Sequence, residues 1–460
     1  MSFSTYDFFI FFSLFLFFIV ASRRWISGQL ILLIGSWSFY AIWNFLFLPL
    51  LIGSTLVDFV IGQKIEDNYQ DKKKCRRFLF VSIFLNIGAL VFFKYTRFLT
   101  QVCDDVFDLG LPIPDIILPL AISFYTFQTV SYSIDVYRGH IKARRNFIDF
   151  ALYVSFFPQL VAGPIIRASQ FFPQMTKNIN FSWENSSWAL QRFIWGLFKK
   201  LLIADTLAIT VNQIYADPSS YSGLQLIAAT AMFSLQLYVD FSAYSDLALA
   251  LARFFGYKIP ENFNNPYFAR NISEFWKRWH ISLTTWFRDY LYIPLGGNKV
   301  STFRWHCNIL IVFACSGLWH GANWGYVIWG LFNGVLILIS VHLGALFKLP
   351  RLVAQFLTVF AIMTSFVFFR SETWEKTTIV FGKIKNFLLN NDVQNNWIEL
   401  QKSFWICVTI CLACWVCHMN WHRFWPKLPS LLRSLIMAII LWLTLAFSPE
   451  VYRDFYYFIF

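Results

Sequence analysis

Charge is scarce in this chain. Asp, Glu, Lys and Arg make up 14% of its 460 residues, against roughly a quarter in an ordinary soluble protein. That excludes a solvated globular enzyme carrying a single anchor. No Pro/Gly/Ser-rich stretch is long enough to separate two domains, so residues 1–460 read as one membrane domain. No Walker A, G-x-S-x-G or Rossmann fingerprint is present, which removes the motif-based nucleotide and α/β-hydrolase readings. No basic residues precede the first apolar run. Arg23 and Arg24 follow it instead, so it reads as a first span with its N-terminus outside, and not as a cleaved signal.

Acidic residues are the rarer sign, 25 against 38 basic, for a net charge of +13. In a soluble protein such a balance would suggest nucleic acid. Here the basic residues sit in loops beside apolar runs, which the positive-inside rule explains, and no nucleic-acid partner is expected. Lys64, Lys72, Lys73, Lys74, Arg76 and Arg77 form one basic loop, and Arg138, Lys142, Arg144 and Arg145 another. Asp104, Asp105, Asp108 and Asp115 fill the loop between. The alternation places odd spans exiting into the cytoplasm.

What is abundant is apolar sequence. It recurs from end to end, in runs spaced for an all-α polytopic protein set in membrane lipid. Candidate spans cover 7–21, two within 29–62, 78–95, 116–134, 187–214 with a basic interruption at Lys199-Lys200, 223–255 as a broken or double helix, a short 308–319, 326–347, 352–369, 403–419 and 432–447. That makes about ten to twelve crossings, some of them re-entrant. The segment 256–305 is the least membrane-like. It carries Lys258, Arg270, Lys277, Arg278, Arg288, Lys299 and Arg304 with many aromatic rings, as a cytoplasmic interfacial segment should. Within it, 274–286 has helical spacing. Trp279, Leu283 and Trp286 share one face, Trp276 and His280 another, and Glu274 can pair with Arg278. An amphipathic surface helix is the plain reading.

Ionisable groups at membrane depth are expensive and point to function or to pairing. His320 lies between two apolar runs in CSGLWHGANW. Gly317 and Gly321 allow close helix approach, Gly321-Ala322-Asn323 can break the helix, and Asn323 can orient the ring. A hydrogen-bonded structural histidine is the alternative. Asp240 and Asp246 lie in another apolar run. Gln236, Asp240 and Tyr244 are spaced to share one face, and Asp246 and Arg253 another. A polar lining or a structural ion pair fits both aspartates. Cys407, Cys411, Cys414 and Cys417 precede His418, and Cys414-Trp-Val-Cys417-His418 matches a c-type haem attachment pattern. The run is apolar, so these cysteines read as packing residues, and neither haem nor any metal is expected.

Four blocks taken together resemble the bacterial membrane-bound O-acyltransferases: LPLAISFYTFQTVSYSIDVYRG (118–139), FFPQLVAGPIIRASQFFPQ (156–174), the long stretch from DFSAYSD to PLGGNK (240–299), and GLWHGANWGYVIWGLFNG (317–334). The diagnostic core is therefore 118–334. Its closest-looking branch is that of alginate and peptidoglycan O-acetyltransferases, with teichoic acid D-alanyl transferases more distant. Ala243 stands where relatives often have glycine.

The resemblance implies helices in a ring around a central tunnel, with re-entrant and interfacial helices. It implies His320 and His280 as catalytic residues. Asp240, Arg278, Trp319, Asn323 and Gln236 are expected to support the site or bind substrate. The implied reaction moves an acetyl group from a cytoplasmic thioester, acetyl-CoA or another acyl donor, across the bacterial inner membrane. The acceptor is an exported or cell-envelope polysaccharide, alginate-like or peptidoglycan, and a periplasmic O-acetyltransferase or esterase-like partner completes the modification. No bound cofactor is expected. A flippase for a lipid-linked glycan, with Asp240 and Asp246 as coupling groups, and a D-alanyl-type transferase are the rival readings.

Overall fold

The computed structural model describes residues 2–22, 25–175, 181–346, 349–389, 425–449 and 455–456. Among these the chain is helical, with no strand. The first helices are α1 (Tyr6–Ser22), α2 (Gly28–Asn44), α3 (Leu48–Asp67), α4 (Lys72–Leu90) and α5 (Thr96–Phe107), with a π-helical turn, Val91–Tyr95, joining the last two. Next come α6 (Ile122–Arg138), α7 (Phe147–Ser155), the single turns α8 (Phe157–Leu160) and α9 (Ala168–Phe171), α10 (Trp183–Leu197) and α11 (Asp205–Ala216). A second π-helical turn, Phe198–Ala204, links α10 to α11. Then follow α12 (Gly223–Phe254), α13 (Ile272–Arg278), α14 (Ile281–Phe287), α15 (Thr302–His320), α16 (Trp324–Leu346), α17 (Arg351–Arg370), α18 (Trp374–Leu388) and α19 (Ser430–Phe447).

Among the described residues, six helical stretches are long and apolar enough to cross a membrane: Gly28–Asp67, Lys72–Phe107, Gly223–Phe254, Trp324–Gly344, Arg351–Arg370 and Ser430–Phe447. They make this an all-α polytopic membrane protein.

The centre is α12. Its predicted break does not occur. Its 32 residues are continuous, because Ser222 and Gln225 close a reciprocal capping box at the start and no proline interrupts the run. Most of it is buried, against α10, α11, α17 and α18. A second group packs α3 against α4, α6 and α7. There Asp58 is buried and accepts from Ser82 Oγ at 2.5 Å, Asn86 Nδ2 at 2.7 Å and Ser133 Oγ at 3.2 Å.

Several expectations need correcting. The span 116–134 starts only at Ile122, because Pro112, Pro114 and Pro119 disfavour helix in the residues before them. The short 308–319 is the end of a 19-residue helix, α15. The basic interruption at Lys199-Lys200 falls in the π-helical turn, which carries both lysines inward, each to an aspartate of α12. Lys199 Nζ lies 2.6 Å from Asp246 and Lys200 Nζ 3.0 Å from Asp240. Asp246 pairs also with Arg192 at 2.6 Å, and not with Arg253 as its spacing suggests. The predicted span 403–419, with its four cysteines and His418, lies outside the described residues.

The segment 274–286 is the largest correction. It is not one surface helix. It breaks between α13 and α14, where His280 adopts a left-handed backbone, φ 45° and ψ 54°. Trp276, Trp279, Leu283 and Trp286 are all buried. The physical reason is aromatic bulk. Trp279 stacks on Phe275 and contacts Phe263, Tyr238 and Phe366, burial that an interfacial helix cannot offer. Glu274 and Arg278, paired at 2.6 Å, keep to the expected outer face.

Candidate active site

His320 is the last residue of α15 and is buried. The helix reaches that point because glycines let it close on α16. A Cβ on Gly317 would lie 2.1 Å from the Tyr326 carbonyl oxygen, and one on Gly330 2.2 Å from that of Phe313. Aromatic rings stand around the imidazole at steep angles, among them Trp319 at 5.0 Å, Trp329 at 5.1 Å and Phe369 at 5.5 Å.

The carbonyl end of α15 is capped from a distant helix. Lys94 Nζ donates to Trp319 O at 2.6 Å and to Ser123 Oγ at 3.3 Å, and Tyr95 O–H donates to Leu318 O at 2.7 Å. Both donors come from the π-helical turn after α4. The last carbonyls of a helix have no intrahelical partner, and a cation suits the negative end of its dipole. Lys94 is itself buried.

His280 enters from the α13–α14 break. The left-handed conformation costs a histidine roughly 1–2 kcal/mol and persists only where neighbours hold it. Nδ1 of His280 lies 3.2 Å from Asn262 Oδ1. The ring packs on Phe241 at 4.7 Å and on Trp319 at 5.9 Å. Trp319 therefore touches both imidazoles, and it rests on Phe124 and Phe127 behind. The indole N–H groups of Trp319 and Trp329 have no hydrogen-bond partner among the described residues. Buried donors of that kind want an acceptor, and an acyl carbonyl is one.

A cavity of about 730 Å³ adjoins this cluster through Phe369. Gln236, Asp240, Lys200, Asn323, Arg370 and Tyr456 are among the residues that line it. Lys200 is buried between Asp205 at 2.9 Å and Asp240 at 3.0 Å. Asp240 also accepts from the Tyr456 N–H at 2.7 Å. Gln236 Oε1 is buried with no partner among the described residues. The wall thus offers charge pairs and an unused acceptor, features suited to hydroxyl groups. It gathers the carbonyl ends of α11, α15 and α17.

The expected residues therefore fall into three places. His320, His280 and Trp319 form one aromatic-walled cluster. Gln236, Asp240 and Asn323 line the cavity. Arg278 lies outside both, held by Glu274. Asn323 bonds elsewhere than the His320 ring. Its Oδ1 accepts from the Gly325 N–H at 2.8 Å and its Nδ2 donates to Glu372 O at 3.3 Å, so it shapes the turn into α16. Lys94, Asn262 and Trp329 were not anticipated. Lys94 had a signal, a lone charge at the end of an apolar run. Asn262 had none, since it lies in a polar loop without periodicity.

The sequence profile described as MBOAT, the membrane-bound O-acyltransferase family, matches residues 140–371, which contain both histidines. A probable alginate O-acetylase, AlgI, of Pseudomonas putida is 38% identical over 79% of this chain and 76% of its own length. A peptidoglycan O-acetyltransferase of Helicobacter pylori is 38% identical over 75% of this chain and 72% of its own. A teichoic acid D-alanyltransferase of Bacillus subtilis is 29% identical over 49% of this chain and 60% of its own.

Proposed function

Because the chain belongs to the membrane-bound O-acyltransferase family, and so is an O-acyltransferase, we propose that it moves an acetyl group across the bacterial inner membrane for O-acetylation of a polysaccharide. The observation that carries the site is His320, buried among Trp319, Trp329 and Phe369, the last of which also lines the cavity. The acetyl level of detail comes from relatives named as alginate and peptidoglycan O-acetylating proteins over more than two thirds of their length. The D-alanyl relative aligns with only half of this chain. No observation favours the flippase reading, since Asp240 and Asp246 are each paired with lysine.

In this reading the N-terminus faces outward and the basic segment faces the cytoplasm. A thioester donor, acetyl-CoA or a similar acyl carrier, approaches from that side, where positive charge draws an anion. The acceptor hydroxyl enters through the cavity. It belongs to the polysaccharide, or to a periplasmic O-acetyltransferase or esterase-like partner that passes the group on.

His320 accepts the hydroxyl proton as the oxygen attacks the thioester carbonyl. The tetrahedral oxyanion takes a hydrogen bond from the Trp319 or Trp329 indole. Collapse breaks the C–S bond, and the thiolate leaves with the proton from His320. His280, packed beside Trp319, positions the donor thioester. Aromatic walls keep out the water that would hydrolyse the thioester.

The test is His320→Ala, with folding checked by detergent monodispersity, in a strain lacking the native copy. Polysaccharide acetylation should disappear. Undiminished acetylation overturns the assignment.

A further inference from the structure

We propose that Asn262 is a positioning residue that holds His280 as its Nδ1–H tautomer, so that Nε2 is the nitrogen presented to the reacting groups. The inference rests on the acyltransferase reading above and concerns the second of its two imidazoles.

The argument begins with which atoms can donate. Asn262 is fully buried. Its side-chain Oδ1 lies 3.2 Å from the backbone nitrogen of Ser282, 2.9 Å from Ser282 Oγ and 3.2 Å from His280 Nδ1. A backbone N–H can only donate, so the atom facing it is the amide oxygen and not the NH₂ group. That settles the orientation of the amide. An amide oxygen carries no proton. The imidazole nitrogen that meets it must therefore bring one, and in the neutral ring the lone pair then sits on Nε2.

The surrounding bonds allow no reversal. The Ile165 N–H donates to Ser282 Oγ at 3.0 Å, which leaves the Ser282 hydroxyl proton for Asn262 Oδ1. The Asn262 carbonyl accepts from the Ile281 N–H at 2.9 Å. Asn262 thus grips the backbone on the far side of His280 at two points and the ring at a third. This grip is what sustains a histidine at φ 45° between two helices. The ring is fixed edge-on against Phe241 and beside Trp319.

The experiment uses the full-length protein, with ¹⁵N-labelled histidine in detergent and acetyl-CoA as the probe donor in proteoliposomes. His280→Gln assigns the His280 resonances. Wild type should show protonated Nδ1 and unprotonated Nε2. Asn262→Ala should mix the tautomers and lower turnover at least about tenfold, the loss of one hydrogen bond's worth of organisation. Asn262→Asp keeps an acceptor oxygen and should restore the tautomer and much of the turnover. Ser282→Ala loosens the same loop without touching the ring, and should leave the tautomer as in wild type. The spectrum judges the tautomer independently of turnover. Wild-type protein with Nε2–H at His280 overturns the inference, and so does an equal effect of Ser282→Ala. Wild-type protein that transfers no acetyl group, yet shows the expected spectrum, overturns the functional reading instead.

Discussion

Lys94 donates from its ammonium to the backbone carbonyl of Trp319 at 2.6 Å, across 225 residues of chain. The bond closes the carbonyl end of the helix that carries His320. It joins an early helix to the candidate site, so the position of His320 depends on two parts of the chain far apart in sequence.

Removing that cap should cost activity before it costs folding. Lys94→Met leaves the Trp319 carbonyl buried without its donor, and a hydrogen bond to a charged group contributes about 1.5–3 kcal/mol. Turnover should fall about tenfold or more, with donor KM little changed. Lys94→Arg should recover only part of it, because the planar fork does not occupy an ammonium's place. Acetyl transfer in proteoliposomes measures both. Wild-type turnover in Lys94→Met would show that the cap is dispensable.

The α15–α16 crossing should not accept a methyl group. Gly317→Ala puts a carbon 2.1 Å from the Tyr326 carbonyl oxygen, and overpacking of this kind costs about 1–3 kcal/mol. Gly88→Ala, with nothing within 4 Å of the added carbon, should leave stability near wild type. Thermal unfolding in detergent compares the two. Equal Tm values would contradict the close approach.

Asp246 should matter for stability and not for chemistry. Asp246→Asn leaves Arg192 and Lys199 without the carboxylate they share, and breaking a buried pair costs about 3–5 kcal/mol. Yield and Tm should drop, while turnover per folded molecule stays near that of wild type. His320→Ala should do the reverse. A normal Tm in Asp246→Asn would remove the ion cluster from the account of the fold.

Glu274 gives a pH dependence with a definite sign. Partial burial raises its pKa, but the Arg270 N–H and the Arg278 guanidinium outweigh this and hold it below the usual carboxylate range. A depressed folded-state pKa adds stability above the unfolded value, and that stability disappears as pH falls through the folded value. Wild type should therefore exceed Glu274→Gln in Tm at pH 7, and the gap should close below about pH 4. A gap that persists in acid would mean the side chain acts through packing.

Much of the architecture was legible in the sequence. Long apolar runs announced the helices, because a helix in lipid must be apolar around most of its circumference. His320 was legible as a titratable group between two such runs, with glycines at the spacing that permits close packing. Lys199 and Lys200 were visible as a basic interruption of an apolar run, but nothing local says that a π-helical turn will carry each to a buried aspartate. The break at His280 was hidden for a similar reason. The spacing of Trp276, Trp279, Leu283 and Trp286 is perfectly helical, and only the pockets that receive those rings force the chain to turn.

By itself the sequence determined the class of protein, the family resemblance and the two candidate histidines, since these depend on composition and on local motifs. Tertiary structure alone decided what surrounds them. Lys94 reaches Trp319, Asn262 reaches His280, and Lys200 reaches Asp240 from separate helices or loops. Each contact satisfies a buried polar group, and the cost of leaving such a group unpaired is felt only once folding has removed water from it. No local pattern can record that requirement, because the partner is chosen in space.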